Sequence, residues 1–163
     1  MDNIRTLQGD VLARDLRVAI IASRFNDAIV DHLVRGAVDA LLRHGASEKQ
    51  IEIIRVPGAY DLPFVARRVA AAKRCDAIVA LGAVIRGATP HFDYVCGVAA
   101  HGISRVGLDT GVPVTFGVIT ALTEEQAWER AGGVVGNRGE EAALAALEMA
   151  GWLRSLRGRK GGR

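Results

Sequence analysis

The feature that most constrains the fold of this chain is a regular alternation of short apolar runs with longer amphipathic segments. The apolar runs have the length of buried strands and are bounded by charged residues, glycine or proline. The segments between them repeat apolar residues at helical spacing, as 28–44 does before Gly45. The pattern predicts four strands: 16–22, 51–56, one that begins at Ala77, and 112–118. It also predicts five helices: 28–44, three that begin near Leu62, Pro90 and Thr123, and 138–156.

Four strand–helix units of this kind predict one parallel sheet with helices on both faces, because each parallel connection crosses over the sheet. We therefore expect an α/β, three-layer α/β/α flavodoxin-like fold in a single domain over 1–163. The N-terminal segment 1–12 stands outside the alternation and is expected to form an edge strand shared with a neighbouring subunit. The last helix is expected to bury a stripe of Ala142, Ala145, Ala146, Met149, Trp152, Leu153 and Leu156.

Composition excludes several classes of protein. Hydrophobic residues make up 50% and charged residues 24% of the chain, so a folded core is expected. The net charge of +3 arises in a basic tail, predicted to be flexible over 157–163, and this placement argues against nucleic-acid binding. The polar start lacks the apolar core of a signal peptide, and no apolar stretch approaches the roughly 20 residues of a membrane helix. We therefore expect a cytoplasmic protein with no membrane partner.

The two cysteines, Cys75 and Cys96, lack metal-ligand spacing and a disulfide framework. They are expected to be reduced thiols in packed positions, and no metal site is expected.

The stretch 82–96 is predicted to be an active-site loop between a buried strand and a helix. Thr89 suits the N-cap of that helix and Pro90 its first position. The amides of 87–89 would then face outward at the positive end of the helix dipole, where phosphate is stabilised. His91 stands beside that site and could exchange a proton with a phosphorylated substrate. The alternative is that His91 is only a polar first-turn residue.

Other candidate site residues follow the predicted strands, at the sheet edge where such folds bind ligands. Phe25 lies in a polar turn and is interpreted either as a stacking platform for a flat ligand or as a lid over a helix start. Asp61 either caps the helix near Pro63 or recognises a ligand. Arg130 and Arg138 either clamp phosphate or are surface charges. The intervening glycine run 132–137 follows a helix, so it is not a dinucleotide fingerprint.

Five ordered motifs carry a resemblance to a known family. The chain resembles the 6,7-dimethyl-8-ribityllumazine synthase family of riboflavin biosynthesis from about Gly9 to Leu156. The motifs are Ala22-Ser-Arg-Phe-Asn26, Val56-Pro-Gly-Ala59, Ile85-Arg-Gly-Ala-Thr-Pro-His-Phe-Asp-Tyr94, Thr115-Phe-Gly-Val-Ile-Thr120 and Glu129-Arg-Ala-Gly132.

The resemblance implies an enzyme that condenses 5-amino-6-(D-ribitylamino)uracil with 3,4-dihydroxy-2-butanone 4-phosphate and uses neither cofactor nor metal. It implies that Phe25 stacks on the pyrimidine, that His91 donates a proton, and that Arg130 binds phosphate together with Ala88 and Thr89. The ring and ribityl chain would be held by Ala59, Tyr60, Asp61, Ala83, Val84 and Ile85. Family members place this site between subunits of a pentamer, which implies that the neighbouring subunit supplies Phe116, Arg130 and Arg138.

Two residues depart from the family pattern, because Asp61 stands where Glu is usual and Arg138 where Lys is usual. The resemblance also implies assembly of pentamers into a sixty-subunit icosahedral shell, since the turn at 132–137 lacks the insertion found in many pentameric members. Riboflavin synthase is the expected cargo of such a shell. Two alternatives remain: a non-catalytic flavin carrier or sensor, and a shell scaffold without turnover.

Overall fold

A parallel sheet lies at the centre of the molecule. This computed structural model describes residues 4–157, and within them the sheet has four strands in the order β2-β1-β3-β4. The strands are β1 (Val18–Ser23), β2 (Ile51–Val56), β3 (Ala77–Ile85) and β4 (Val114–Ala121). The helices are α1 (Asp27–Arg43), α2 (Leu62–Ala71), α3 (His91–Thr110), α4 (Glu124–Glu129) and α5 (Arg138–Arg157). A small antiparallel hairpin, β5 (Ala131–Gly133) and β6 (Gly136–Asn137), separates α4 from α5.

The sheet is buried on both faces, and the predicted three-layer fold is confirmed. Alternate residues of β1 and β3 point into two different cores. Val18, Ile20 and Ala22 pack with α1 and α5, whereas Ala19 and Ile21 pack with α2 and α3. This double burial explains why these strands appear in the sequence as continuous apolar runs.

The ends of several elements differ from the prediction. Leu16 is buried but precedes β1, which begins at Val18. β4 begins two residues later than predicted and continues to Ala121, because it pairs with β3 from Ile78 to Ile85. The residues Thr123-Glu-Glu-Gln126 fit a capping box at the start of α4, and Thr123 accepts a hydrogen bond from the amide of Gln126. The Gln126 side chain accepts from the Leu122 amide rather than from that of Thr123, so the capping box is only half formed.

The buried face of α5 was predicted only in part. Ala142 and Ala146 are buried as expected, and Ala143, Leu147 and Ala150 complete the face that packs on the sheet and α1. The other predicted members are exposed or only half-buried: Ala145, Met149, Trp152, Leu153 and Leu156. Because α5 carries apolar residues on more than one face, its sequence did not determine which face meets the sheet. The second apolar face lies open in this single chain.

The described N-terminal residues, 4–12, do not form a strand within this chain. Gly9 crosses α5 so closely that an added Cβ would lie 1.9 Å from the Glu148 carbonyl oxygen, and Gly151 makes the reciprocal approach to Asp10. The segment is therefore held against α5, and residues 4–8 extend from this crossing with their side chains exposed. The shared edge strand stays a prediction, and residues 158–163 of the predicted basic tail lie outside the described residues.

None of the helices in the described range 4–157 is long and apolar enough to cross a membrane.

Candidate active site

A cleft opens at the carboxyl ends of β1, β2 and β3 and has a volume of 460 Å³. In the sheet, β2 lies on one side of β1 and β3 lies on its other side, so the direction of strand addition reverses at β1. The cleft therefore lies at the switch point where such sheets bind ligands. Nine of the predicted site residues line it: Phe25, Ala59, Tyr60, Asp61, Ala83, Val84, Ile85, Thr89 and His91. The structure thus brings together residues that are up to 66 positions apart in the sequence, from Phe25 to His91.

Phe25 stands in a rigid turn at one wall of this cleft. The amide of Arg24 donates to the Val56 carbonyl at 2.8 Å, and that of Phe25 donates to the Pro57 carbonyl at 3.1 Å. The ring itself is 71% exposed, so it covers little of the protein. This exposure favours the stacking platform over the lid among the two interpretations of Phe25.

A short 3₁₀ turn, Ala59–Asp61, also lines the cleft. The Gly58 amide donates to Asp61 Oδ2 at 2.9 Å, and the Asp61 amide donates to the Gly58 carbonyl at 3.1 Å. Asp61 therefore stabilises this turn rather than capping α2, whose first turn receives no side-chain cap. One carboxylate oxygen of Asp61 is used by the backbone while the residue also lines the cleft.

The loop between β3 and α3 carries His91 and differs slightly from the prediction. The helix begins at His91 with Pro90 as its cap residue, so Thr89 is not the N-cap and no side chain caps α3. The reason is that, in the first turn, the Asp93 amide donates a hydrogen bond to the Pro90 carbonyl. The helix therefore begins one residue later than the sequence pattern indicates. Thr89 and His91 are exposed to solvent and line the cleft, whereas Ala88 is exposed but does not line it. An uncapped start of a long helix has free amides that an anion can satisfy.

Arg86 holds the two ends of this loop in place. Its amide donates to the Ala121 carbonyl at 2.9 Å, and its guanidinium lies 3.4 Å from Asp93 and 5.5 Å from the centre of the Phe92 ring. This contribution of Arg86 was not predicted from the sequence, although the residue belongs to one of the five family motifs. Both side chains of the Arg86–Asp93 pair are largely exposed, so its effect is to orient the loop rather than to stabilise the fold.

The three remaining predicted residues line a separate cavity of 520 Å³ at the β4 edge of the sheet. Phe116 comes from β4, Arg130 follows α4 and Arg138 begins α5. Arg130 Nη1 donates to the Gln126 carbonyl at 2.9 Å and lies 3.4 Å from Glu129 Oε2. Within a single chain the predicted site is therefore divided between two cavities.

Glu141 was missed by the sequence analysis. It lines the second cavity and pairs with Arg138, three residues before it on α5. The spacing of an arginine and a glutamate at i and i+3 near a helix start was a signal that could have predicted this pair. Glu141 therefore orients the Arg138 guanidinium.

The two thiols do not resemble nucleophiles. Burial raises the pKa of the Cys75 thiol to about 11, with a further contribution from Asp76. Burial also raises the pKa of the half-buried Cys96, to which Asp93 adds. Both thiols are therefore protonated near neutral pH. Among residues 4–157, no three His, Cys, Asp or Glu side chains group together as a metal site would need.

The fold and the cleft define a class: this is a flavodoxin-like α/β protein with a polar and aromatic ligand cleft at its switch point. Residues 15–154 match the family described as 6,7-dimethyl-8-ribityllumazine synthase. A protein of that name from Chlorobium limicola is 51% identical over 153 residues, covering 94% of this chain and 99% of the relative. Another, from Prosthecochloris aestuarii, is 54% identical over 146 residues, covering 90% of this chain and 94% of the relative.

The chain belongs to the 6,7-dimethyl-8-ribityllumazine synthase family, which confirms the resemblance seen in the sequence. It is accordingly an enzyme of the transferase class that acts in riboflavin biosynthesis.

Proposed function

We propose that this enzyme condenses 5-amino-6-(D-ribitylamino)uracil with 3,4-dihydroxy-2-butanone 4-phosphate to form 6,7-dimethyl-8-ribityllumazine, the penultimate step of riboflavin biosynthesis. Phosphate and water are released. The observation that carries the proposal is the division of the site residues between two cavities of one chain. One cavity offers an exposed aromatic ring, a histidine and an uncapped helix start, and the other offers two arginines. Each supplies part of what two different substrates need.

The pyrimidine occupies the first cavity in this proposal. Phe25 stacks on its ring, because an exposed ring fixed by a rigid turn offers a flat apolar surface at low entropic cost. The backbone and side chains of two segments hold the ring edge and the ribityl chain: Ala59, Tyr60 and Asp61, and Ala83, Val84 and Ile85. Asp61 has one oxygen bound to the Gly58 amide, which leaves its other oxygen for a ribityl hydroxyl.

The butanone phosphate is bound at the start of α3. The free amides there, with Ala88 and Thr89, suit an anion, and Arg130 of a neighbouring subunit adds a charge-assisted hydrogen bond. Phe116 and Arg138 of that neighbour would complete the wall of the site. Arg138 keeps the charge of the lysine usual in the family but presents it as a planar fork, so its contacts differ in geometry.

His91 transfers protons in this mechanism. The 5-amino group of the pyrimidine attacks the ketone of the second substrate, and loss of water gives an imine. Proton loss at the neighbouring carbon then expels phosphate and leaves an enol, which tautomerises to a ketone. The ribitylamino nitrogen attacks this ketone, and loss of a second water closes the second ring. An imidazole can both accept and donate a proton in these steps. Holding two reactants together supplies much of the acceleration, so no covalent nucleophile is needed.

We also propose that the protein assembles as a homopentamer. Leu108, 82% exposed, lies with Phe116 and Met149 along a groove between α3, β4 and α5 that has a volume of 410 Å³. Apolar side chains of this size favour a protein partner. The outer edge of β2 is likewise unpaired within the described chain, and the exposed segment 4–8 could extend it from a neighbouring subunit.

A further level of assembly is the icosahedral shell. The connection between α4 and α5 is a short hairpin without an insertion, and this supports close packing of pentamers. Riboflavin synthase as cargo, and a cytoplasmic location, stay predictions that cell fractionation and co-purification can test.

The proposed reaction is tested by mixing purified protein with both substrates and following the fluorescence of the lumazine product. We expect product formation in the presence of EDTA, faster than in the same mixture without protein, and no product when either substrate is omitted. A protein that binds finished flavin but forms no lumazine would instead be a carrier or sensor. Loss of turnover on chelation, restored by a divalent ion, would contradict the metal-free mechanism.

A further inference from the structure

Asn26 has a backbone conformation that its position at a helix start does not explain. It precedes α1 with φ 59° and ψ 43°, in the left-handed region that non-glycine residues seldom adopt. Its carbonyl accepts hydrogen bonds from the amides of Ile29 and Val30. Its side chain, however, makes no cap to α1, although capping is the usual reason for asparagine at this position.

The side chain instead reaches a different strand. Asn26 Nδ2 donates to the Ala83 carbonyl at 2.9 Å, in a partly buried bond between residues 57 positions apart. The pairing of β1 with β3 ends where Ala22 lies opposite Leu81, so β3 continues beyond β1 for several residues. The side-chain amide of Asn26 thus adds one hydrogen bond between the ends of β1 and β3, beyond the last residues that pair in the sheet.

This bond completes the support of the turn that carries Phe25. On one side, the amides of Arg24 and Phe25 already bind the carbonyls of Val56 and Pro57. On the other side, the Asn26–Ala83 bond is the link to β3. Because the Phe25 ring is largely exposed, packing does not fix its position, and the turn must do so.

We propose that Asn26 is a positioning residue that sets Phe25 and the Ala83 backbone in register for the pyrimidine. The inference rests on the proposed function. The phosphate end of the cleft is anchored separately, since the Arg86 amide binds the Ala121 carbonyl. Loss of the Asn26 amide should therefore affect one substrate and spare the other.

The test compares Asn26→Gly and Asn26→Asp with Asp15→Gly. Glycine keeps the left-handed backbone and removes the donor, and aspartate keeps the shape but sets an oxygen against the Ala83 carbonyl. Asp15 is a matched control, because it also has positive φ, at 62°, and precedes β1 at the opposite end of that strand from the cleft. We expect both Asn26 variants to raise KM for the pyrimidine about tenfold, with KM for the butanone phosphate changed less than about twofold. The control should change neither constant.

Equal rises in both Michaelis constants, or no rise in either, would overturn the inference. Amide hydrogen exchange at residues 25 and 83–85 provides a readout that does not depend on activity. Faster exchange there in Asn26→Gly, but not in Asp15→Gly, is the expected result, and unchanged exchange would overturn the proposed link. If the wild-type protein formed no lumazine, the proposed function would fail, and the exchange measurement would still decide whether Asn26 holds the two strand ends together.

Discussion

Replacing Arg130 with alanine tests the proposed phosphate clamp. In the single chain its guanidinium makes one good hydrogen bond, to the Gln126 carbonyl, and a longer contact with Glu129. The side chain is 34% exposed, so its ion pair is screened by solvent and contributes little to stability. The main effect of Arg130→Ala should therefore fall on the substrate and not on the fold.

The expected magnitude follows from the chemistry of the contact. A charge-assisted hydrogen bond contributes about 1.5–3 kcal/mol, which corresponds to a rise of roughly 10- to 150-fold in KM for the butanone phosphate. KM for the pyrimidine should stay within about threefold, since that substrate contacts the other cavity. Arg130→Lys should give an intermediate effect, because lysine keeps the charge but loses the planar fork.

Steady-state kinetics with each substrate varied in turn measures both constants. Arg105→Ala is the matched control, since this exposed arginine pairs with Asp109 and lines neither cavity. It should leave both constants unchanged. Equal effects of Arg130→Ala on the two substrates would refute the clamp.

Three further predictions concern the cleft and the assembly. His91→Ala should lower turnover by roughly 10²–10⁴-fold and leave the affinity for the pyrimidine nearly unchanged. Single-turnover rates and equilibrium binding measure these two quantities. A loss of pyrimidine affinity with unchanged turnover would make His91 a binding residue. Gly87 lines the cleft with no positive φ, and an added Cβ would meet nothing within 4 Å. The melting temperature of Gly87→Ala should thus stay within about 2 °C of the wild-type value, while the added methyl group in the cleft should raise KM for the phosphate substrate. The control Gly97→Ala, on α3 and outside the cleft, should leave that KM unchanged. Light scattering should detect icosahedral shells, and a species of only five subunits at every protein concentration, pH and phosphate level would contradict them.

The alternation of strands and helices could be predicted because both kinds of element leave a local period in the sequence. Strands buried on two faces become continuous apolar runs, as in β3, and amphipathic helices repeat apolar residues every three or four positions. The helix α5 shows the limit of this approach. Its alanines fit two faces equally well, and contact with α1 and the sheet decides that Ala143 and Leu147 are inside while Met149 is outside.

The candidate site was predictable where single residues stand out. Phe25 is an aromatic residue in a polar turn, and His91 follows a Gly-Ala-Thr-Pro loop. The bond from Asn26 to Ala83 could not be predicted, since nothing local in the sequence relates positions so far apart. The start of α3 was placed one residue early for a similar reason, because Thr89 and Pro90 each suit two neighbouring positions of a helix start.

Mixing two variant subunits, each nearly inactive when the butanone phosphate is well below its wild-type KM, tests most directly the central claim, that two neighbouring subunits share one lumazine-forming site. His91 and Arg130 line different cavities, so random pentamers of His91→Ala and Arg130→Ala subunits should contain intact sites at about a quarter of their interfaces. The mixture should recover roughly that share of wild-type activity. Mixing His91→Ala with Phe25→Ala is the control, because both residues line one cavity and no intact site can form. Activity of the first mixture no higher than the mean of its two variants would contradict the shared site.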